Sequence, residues 1–263
     1  MLVVIAGPTA VGKSDLAVSL AERIGGEIVS ADSMQIYKGF DIGTAKITKP
    51  EMKGIPHYMI DVVSGNEPFS VSDYRNMAKP IIDDIISRGK IPILVGGTGL
   101  YIDAVLHPFQ FGGYDESVRQ KYNNMLAEVG NQALYELLKQ KAPDVAEKIH
   151  PNNTKRVVRA LEVAEVGGAS SNDKNKKEYD YIYIVLGMER EALYQRVNKR
   201  VDKMVDSGLC DEVARLKELY PWDCQAMQAI GYKEWREYFL GEDTLENVKE
   251  KIKLNSRHYV KRQ

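Results

Sequence analysis

One segment near the start of the chain combines the residue types and the spacing that bind phosphate groups. Residues 7–14 read G-P-T-A-V-G-K-S and fit the P-loop pattern G-x-x-x-x-G-K-[ST]. Glycines let the backbone curl, so that several N–H groups and the positive end of the following helix point at one anion. Lys13 adds a point charge, and the Ser14 hydroxyl can hold Mg²⁺. The pattern therefore predicts a phosphate site made by Gly7, Pro8, Thr9, Ala10, Val11, Gly12, Lys13 and Ser14.

Two further polar segments follow predicted strands. In doubly wound sheets, ligands bind at the carboxyl ends of the strands, so these segments are expected beside the phosphate site. Residues 30–37 contain Asp32, a carboxylate that can act as a general base or support Mg²⁺ through water. Residues 96–101 contain glycines that let a substrate approach the backbone, and Thr98 offers a hydroxyl.

The chain lacks a clear sign of nucleotide hydrolysis. A hydrolysing P-loop enzyme normally has an aspartate at the end of an apolar strand, yet the strand predicted at 91–95 ends in glycines and residues 59–61 offer only a weak substitute. This disfavours an ATPase. Arg196 and Arg200 share one face of a later predicted helix, and such arginines suit the neutralisation of charge on a transferring or departing phosphate group.

Short β-branched runs that alternate with longer helical patterns must position these residues. This order predicts an α/β fold, a P-loop-type parallel sheet with helices on both faces. Strands are predicted at residues 2–6, 27–31, 91–95 and 181–186, and helices at 15–24 and 72–88. The first helix presents Leu16, Leu20 and Ile24 on one face, and the second is predicted to begin at a Ser72 N-cap.

The pattern changes near residue 114, where leucines and methionines at helical spacing appear without a strand signal. We therefore predict a small all-helical insertion at 113–150 in a catalytic core formed by 1–112 and 151–263. Residues 150–153 predict a turn before a helix on which Arg156 and Arg159 share a face. The polar residues 167–177 predict a surface loop.

Composition places few limits on the partner. The chain has 263 residues with 36 basic and 37 acidic side chains, a net charge of −1, so an anionic partner must meet a local basic patch. The cationic residues 249–262 are one such candidate for a nucleic-acid backbone.

Two cysteines are too few for a disulfide framework and suit a reducing cytoplasm. No apolar run reaches the length of a membrane span, and no segment resembles an exposed apolar interface, so a monomer without membrane contact is expected.

Six motifs in order resemble the bacterial tRNA dimethylallyltransferase family across nearly the whole chain. They are G-P-T-A-V-G-K-S at 7–14, S-A-D-S-M-Q-I-Y-K-G-F-D-I-G-T-A-K at 30–46, P-H-Y-M-I-D at 56–61, I-P-I-L-V-G-G-T-G-L-Y at 91–101, H-P-N-N-T-K-R-V-V-R-A-L-E-V at 150–163 and Q-A-I-G-Y-K-E at 228–234. The resemblance implies a P-loop fold that holds the diphosphate of dimethylallyl diphosphate with Mg²⁺. The prenyl group would pass to N6 of the adenosine 3′ of the anticodon in tRNA, without consumption of ATP.

The resemblance also assigns roles to residues of this chain. It implies that Asp32 is the general base and that Thr9, Lys13 and Ser14 bind the diphosphate and the metal. Arg196 and Arg200 are alternatives for the residue that stabilises the leaving diphosphate. The helical insertion would grip the anticodon arm. The implied tRNA contacts are Asp32, Ser33, Met34, Gln35, Thr98, Lys155, Arg156 and Arg159.

Three alternatives stay open at this point. A P-loop kinase of a small molecule or nucleotide would turn over ATP and need a lid, which the insertion could imitate. An adenylate prenyltransferase would modify free AMP or ATP. A non-catalytic RNA-binding module would keep tRNA binding after Asp32→Ala and show no turnover.

Overall fold

The computed structural model describes residues 1–168, 171–172 and 175–263. These residues form two compact units, one from residues 1–106 and 177–263 and one from residues 107–176. The strands are β1 (Leu2–Ala6), β2 (Glu27–Ser30), β3 (His57–Tyr58), β4 (Pro92–Gly96), β5 (Phe109–Gln110), β6 (Ser171–Asn172) and β7 (Tyr181–Val185). The α-helices are α1 (Lys13–Ile24), α2 (Lys49–Met52), α3 (Val71–Ser87), α4 (Gly99–Leu106), α5 (Glu116–Lys141), α6 (Pro143–Ala146), α7 (Thr154–Val166), α8 (Arg190–Asp206), α9 (Leu209–Leu219), α10 (Arg236–Phe239) and α11 (Leu245–Val260).

The larger unit is built on a five-stranded parallel sheet with the strand order β3-β2-β4-β1-β7. The side chains of β1, β2 and β4 are all buried, as expected for strands that are covered on both faces. The α/β fold and all four predicted strands are confirmed, with ends that differ by at most one residue. Because β1 lies between β4 and β7 and β4 lies between β1 and β2, the segments after β1, β2 and β4 emerge side by side.

The face of α1 that meets the sheet differs from the prediction. Ala17, Val18 and Ala21 are buried there, whereas Leu16 and Ile24 are exposed. The phosphate loop fixes the direction and rotation with which α1 leaves β1. The small side chains that result at the contact let the helix pack closely on β1 and β4.

The start of α3 also differs from the prediction. Ser70, not Ser72, is the N-cap: its Oγ accepts a hydrogen bond from the Asp73 N–H at 3.2 Å. Asp73 accepts one from the Ser70 N–H at 2.8 Å in return. This reciprocal pair is a capping box, which needs an acidic residue at the third helical position. Ser72 has no acidic residue at that offset, because residue 75 is arginine.

The smaller unit is larger than the predicted insertion. It runs from His107 to Lys176, so that α7 belongs to it instead of to the catalytic core as predicted. The reason is packing: Val157, Val158 and Leu161 of α7 share one buried cluster with Tyr122, Leu134 and Leu138 of α5. The unit also contains a short antiparallel pair, β5 with β6, and Gly130 interrupts α5 with a left-handed φ of 78°.

The surface loop predicted at 167–177 falls partly outside the described residues. Among the helices that are described, none is both long and apolar enough to cross a membrane.

Candidate active site

The phosphate loop forms a tight turn between β1 and α1. Gly12 precedes α1 in a left-handed conformation, with φ of 101°, and Ala10 also has a positive φ, of 66°. Gly7 has no room for a side chain, because an added Cβ would lie 2.4 Å from the Leu186 carbonyl oxygen. Glycine at these positions lets the backbone close around an anion at the N-terminus of α1.

Lys13 folds back over this loop. Its ammonium group donates a hydrogen bond to the Pro8 carbonyl oxygen at 2.8 Å. Burial lowers the pKa of Lys13 to about 8, an effect that Arg200 increases and that the carboxylate of Asp32 opposes. The hydrogen bond that the Lys13 ammonium group makes is to a neutral carbonyl. An anionic ligand would therefore supply the negative charge that a buried ammonium group needs beside it.

Asp32 lies just beyond the carboxyl end of β2, as predicted. Its Oδ1 accepts hydrogen bonds from the N–H of Met34 at 2.9 Å and of Gln35 at 3.4 Å. This turn fixes the direction of the carboxylate. One oxygen therefore positions the group, and none of the described residues bonds Oδ2, so that oxygen can accept a proton.

The segment after β4 is joined directly to the segment after β2. The Thr98 hydroxyl oxygen accepts a hydrogen bond from the Ser33 N–H at 3.1 Å, and the Thr98 N–H donates to the Ala31 carbonyl at 3.1 Å. The close approach requires Gly96, where an added Cβ would lie 2.1 Å from the Ala31 oxygen. Asp32 and Thr98 thus belong to one rigid edge of the sheet.

The two candidate arginines of α8 occupy different environments. Arg196 is exposed, with a guanidinium nitrogen close to Gly12 of the phosphate loop. Arg200 is largely buried, and its Nε has no hydrogen-bond partner among the residues that the structure describes. Burial lowers the pKa of Arg200, whereas the nearby carboxylate of Asp32 raises it. A buried N–H group without a partner is costly, which favours Arg200 as the group that meets a buried anion.

These side chains surround one cavity of about 460 Å³. Its polar lining includes residues of the phosphate loop and α8 together with Asp32 and Gln35. Its apolar part is lined by Ala17, Val18, Ile28, Ile47, Ile60 and Val95. The cavity can therefore hold a ligand with an anionic group and a short hydrocarbon portion, and the carboxylate of Asp32 lies in the same lining.

Ser14 is the candidate metal ligand. It is exposed at the first turn of α1, directly after Lys13. The part of the chain that the structure describes contains no cluster of three or more His, Cys, Asp or Glu side chains that could cage a metal ion. One hydroxyl beside an anion site suits Mg²⁺, which is commonly held by few protein ligands together with substrate phosphates and water.

The predicted tRNA contacts fall in both units. Asp32, Ser33, Met34, Gln35 and Thr98 belong to the larger unit, whereas Lys155, Arg156 and Arg159 belong to α7 of the smaller one. Lys155 and Arg156 are exposed. The guanidinium of Arg159 instead donates to the carbonyls of Gly113 and Gly112, at 2.8 and 2.9 Å, and forms an ion pair with buried Glu162. Arg159 therefore stabilises its own unit.

Sequence reasoning missed one residue that contacts two segments of the site. The carboxamide of Gln263 accepts a hydrogen bond from the Thr9 N–H at 2.8 Å and donates one to the Gly97 carbonyl at 3.1 Å. Tyr259, one helical turn earlier, contacts Thr98 and Gln263. The signal in this part of the sequence is the basic composition of residues 249–262, which does not predict a contact between Gln263 and the phosphate loop.

Three lysines of that segment are paired with carboxylates. Lys251 pairs with Asp243 and Glu237, and Lys253 pairs with Asp202 and Glu250. Lys249 lies 3.6 Å from both Asp202 and Glu246. These lysines stabilise the packing of α11, so the prediction that they form a patch for a nucleic-acid backbone is not supported by their geometry.

Known proteins share this architecture. The sequence profile of the family described as IPP transferase matches residues 35–263. A tRNA dimethylallyltransferase of Halalkalibacterium halodurans is 48% identical over 270 residues, which cover 100% of this chain and 86% of the relative. Another from a Thermoanaerobacter species is 50% identical over 273 residues, with 100% and 87% covered.

Two solved structures are similar over almost the whole chain. The full-length tRNA isopentenylpyrophosphate transferase of Bacillus halodurans has a TM-score of 0.74 at 48% identity, with 100% of this chain and 84% of that chain covered. A eukaryotic dimethylallyltransferase acting on tRNA has a TM-score of 0.80 at 32% identity, with 99% and 68% covered. With the profile match and these identities, the chain belongs to the IPP transferase family.

Proposed function

We propose that the protein transfers a dimethylallyl group from dimethylallyl diphosphate to N6 of the adenosine that lies 3′ of the anticodon in tRNA. The observation that carries this proposal is that Asp32, residues of the phosphate loop and several apolar side chains line one cavity. Relatives that cover the whole chain bear the name tRNA dimethylallyltransferase, which agrees with this chemistry.

The donor fits the cavity by its two chemical parts. Its diphosphate would lie at the N-terminus of α1, where Lys13 and the backbone N–H groups of the phosphate loop supply positive charge. Its five-carbon chain would lie along Ile28, Ile47 and Ile60. In this orientation the bond between the allylic carbon and the diphosphate oxygen lies near Asp32.

The reaction follows from that placement. The exocyclic nitrogen of the adenine attacks the allylic carbon, the carbon–oxygen bond breaks, and the diphosphate leaves with the bonding electrons. Asp32 takes the proton that the nitrogen releases, which suits a carboxylate that its own turn holds in place. Lys13 and Arg200 stabilise the negative charge that develops on the leaving group.

The magnesium ion is part of the same proposal. When bound to the diphosphate and the Ser14 hydroxyl, Mg²⁺ would supply further charge neutralisation for the leaving group. The exposed position of Ser14 beside Lys13 is compatible with that role.

The tRNA would contact both units. The target adenine has to leave its stack to reach the cavity, at a cost of a few kcal/mol. Ser33, Met34, Gln35 and Thr98 stand at the edge where it would enter, and Lys155 and Arg156 offer exposed positive charge to the backbone. We assign the grip on the anticodon arm to the unit formed by residues 107–176. A monomeric, cytoplasmic enzyme remains our expectation, and both cysteines are free thiols.

The direct test follows a label from dimethylallyl diphosphate into separate acceptors in the presence of Mg²⁺. Label in unmodified tRNA, and none in AMP or ATP, is the expected result. Label in AMP or ATP instead would make the protein an adenylate prenyltransferase. Loss of ATP without any label transfer would overturn the proposal in favour of a kinase, and tRNA binding without turnover would favour a non-catalytic module.

A further inference from the structure

A buried carboxylate far along the chain holds a loop that lines the cavity. Glu212 of α9 is only 5% exposed. Its two oxygens accept hydrogen bonds from the backbone N–H of Asp41 at 3.1 Å, of Ile42 at 2.8 Å and of Gly43 at 3.1 Å. Residues 41–46, here called the 41–46 loop, are thus fixed at three successive amides by one side chain.

Tyr232 completes this support. It is fully buried, and its hydroxyl donates to Glu212 Oε1 at 2.7 Å. The ring packs so closely against Gly43 that a Cβ added there would lie 2.5 Å from a ring carbon. Tyr232 of the motif Q-A-I-G-Y-K-E therefore packs against Gly43 of the motif D-I-G-T-A-K, although more than 180 residues separate the two motifs in the sequence.

The opposite side of the 41–46 loop meets the active site. The Gln35 carboxamide donates to the carbonyls of Thr44 and Ala45, both at 3.4 Å. All three of these residues line the cavity. The Gln35 N–H is also one of the two amides that bond to Asp32 Oδ1. A continuous series of contacts therefore joins Glu212, through the loop and Gln35, to the proposed base.

The loop is also held at its far end. The Lys46 ammonium group, almost fully buried, donates to the Tyr37 carbonyl at 2.8 Å and pairs with Asp41 at 2.7 Å and Asp61 at 2.6 Å. The two bonds from the Gln35 carboxamide, at 3.4 Å, are longer than those that Glu212 and Lys46 make to the loop. Glu212 therefore fixes the start of the 41–46 loop and Lys46 fixes its end. The position of the loop in turn determines where the Gln35 side chain lies.

We propose that Glu212, assisted by Tyr232, is a positioning residue for the acceptor side of the active site. It holds the 41–46 loop so that Gln35 and Asp32 are presented to the incoming base at a fixed distance. This inference rests on the proposed function for the identity of the acceptor. The donor groups Lys13, Ser14 and Arg200 lie on α1 and α8, and the hydrogen bonds of the Glu212 carboxylate go to residues 41–43 and Tyr232. We therefore expect donor binding to depend on Glu212 less than acceptor binding does.

The test compares Glu212→Gln and Tyr232→Phe with a matched control, Glu27→Gln. Glu27 is an equally buried glutamate at the opposite end of the sheet, where it bonds Arg88, Lys90 and Tyr58. Two readouts are needed: hydrogen exchange of the amides of residues 41–43, and the separate KM values for tRNA and for dimethylallyl diphosphate.

In Glu212→Gln we expect exchange at residues 41–43 to accelerate about tenfold or more, since bonds to a charged acceptor are the stronger ones. The KM for tRNA should rise several-fold while the donor KM changes little. Tyr232→Phe should show the same pattern more weakly. Glu27→Gln should lower the thermal midpoint without either effect.

Two results would overturn the inference: unchanged exchange at residues 41–43 in Glu212→Gln, or a rise in both KM values of equal size. Failure of the proposed function gives a different result, namely no transfer to tRNA by the unmodified protein. In that case the exchange data still decide whether Glu212 holds the loop.

Discussion

Arg200 on α8 and Asp32 after β2 line the same cavity, and the Nε of Arg200 has no hydrogen-bond partner among the described residues. The two side chains are close enough for the carboxylate to raise the pKa of the guanidinium against the effect of burial. Yet Asp32 Oδ1 is bonded to backbone amides, and the structure gives no hydrogen bond between the two charges. Each group is therefore available to a ligand that enters between them.

The first prediction concerns Asp32. Asp32→Asn keeps the oxygen that accepts the Met34 N–H but removes the basicity of the carboxylate. We expect prenyl transfer to fall by about 10²–10⁴-fold, as is typical for loss of a general base, with tRNA affinity nearly unchanged. Single-turnover rates and tRNA binding by filter retention measure the two quantities. A parallel loss of affinity would show instead that Asp32 positions the acceptor.

The second prediction separates the two arginines of α8. Arg200→Lys should lower kcat by about 10²-fold or more, since a buried donor aimed at developing charge is lost. Arg196→Lys, at an exposed position, should change kcat by less than about fivefold, because solvent screens its charge. Steady-state kinetics with both variants provide the comparison, and equal effects would argue against the assignment of Arg200 to the leaving diphosphate.

The third prediction follows from the pKa of Lys13, which burial lowers to about 8 in the protein without ligand. The ammonium form binds the anionic donor, and it predominates below pH 8. Donor affinity should therefore decline as the pH rises above 8, by at most about tenfold per unit for one proton. Calorimetric titration at pH 7, 8 and 9 measures this. Lys13→Met should bind weakly at every pH, and the same decline in that variant would assign the titration to another group.

The fourth prediction concerns stability in acid. Buried Glu27 bonds Arg88 and Lys90, and the Arg88 bond is the main cause that lowers its pKa from 4.5 to about 2. A depressed folded-state pKa stabilises the protein above the unfolded value, so this contribution is complete above pH 4.5 and declines as the pH falls toward 2.

Glu27→Ala should therefore lower the free energy of unfolding by about 1.5–3 kcal/mol at pH 7, since it removes the charged hydrogen bonds that the partly exposed Arg88 and Lys90 make to Glu27, and by less at pH 3. Urea denaturation at both pH values tests this. Asp84→Asn is the control, because the Asp84 carboxylate also bonds Arg88 but is largely exposed. Its effect should stay below about 1 kcal/mol. A difference that does not shrink in acid would contradict the prediction.

The fifth prediction distinguishes a tRNA contact from a structural arginine on α7. Arg156→Ala should weaken tRNA binding and reduce the slope of log affinity against log salt by about 1, as expected for one lost phosphate contact. The thermal midpoint should not change, because Arg156 is exposed. Arg159→Ala should instead lower the midpoint, since Arg159 bonds two carbonyls and Glu162. Salt titrations and thermal melts of both variants test the pair.

Much of the site could be predicted because its parts are local in sequence. The phosphate loop, Asp32 and Thr98 each follow closely after a strand, and a short β-branched run in the sequence identifies that strand. The order of those strands in a parallel sheet then places the segments at one edge. The predicted insertion was too short because it left out α7. The sequence of α7 shows that the helix has an apolar face but does not show that this face packs on α5.

The sequence by itself determined the fold class, the family and the residues at the carboxyl ends of β1, β2 and β4, because strand periodicity and glycine spacing act over a few residues. The tertiary structure alone decided which arginine of α8 is buried, which cations of α11 are paired, and which glutamate holds the 41–46 loop. These properties depend on contacts between residues far apart in the chain. Glu212 and Ile42 are an example: 170 positions separate them, and only the fold brings the carboxylate to that amide.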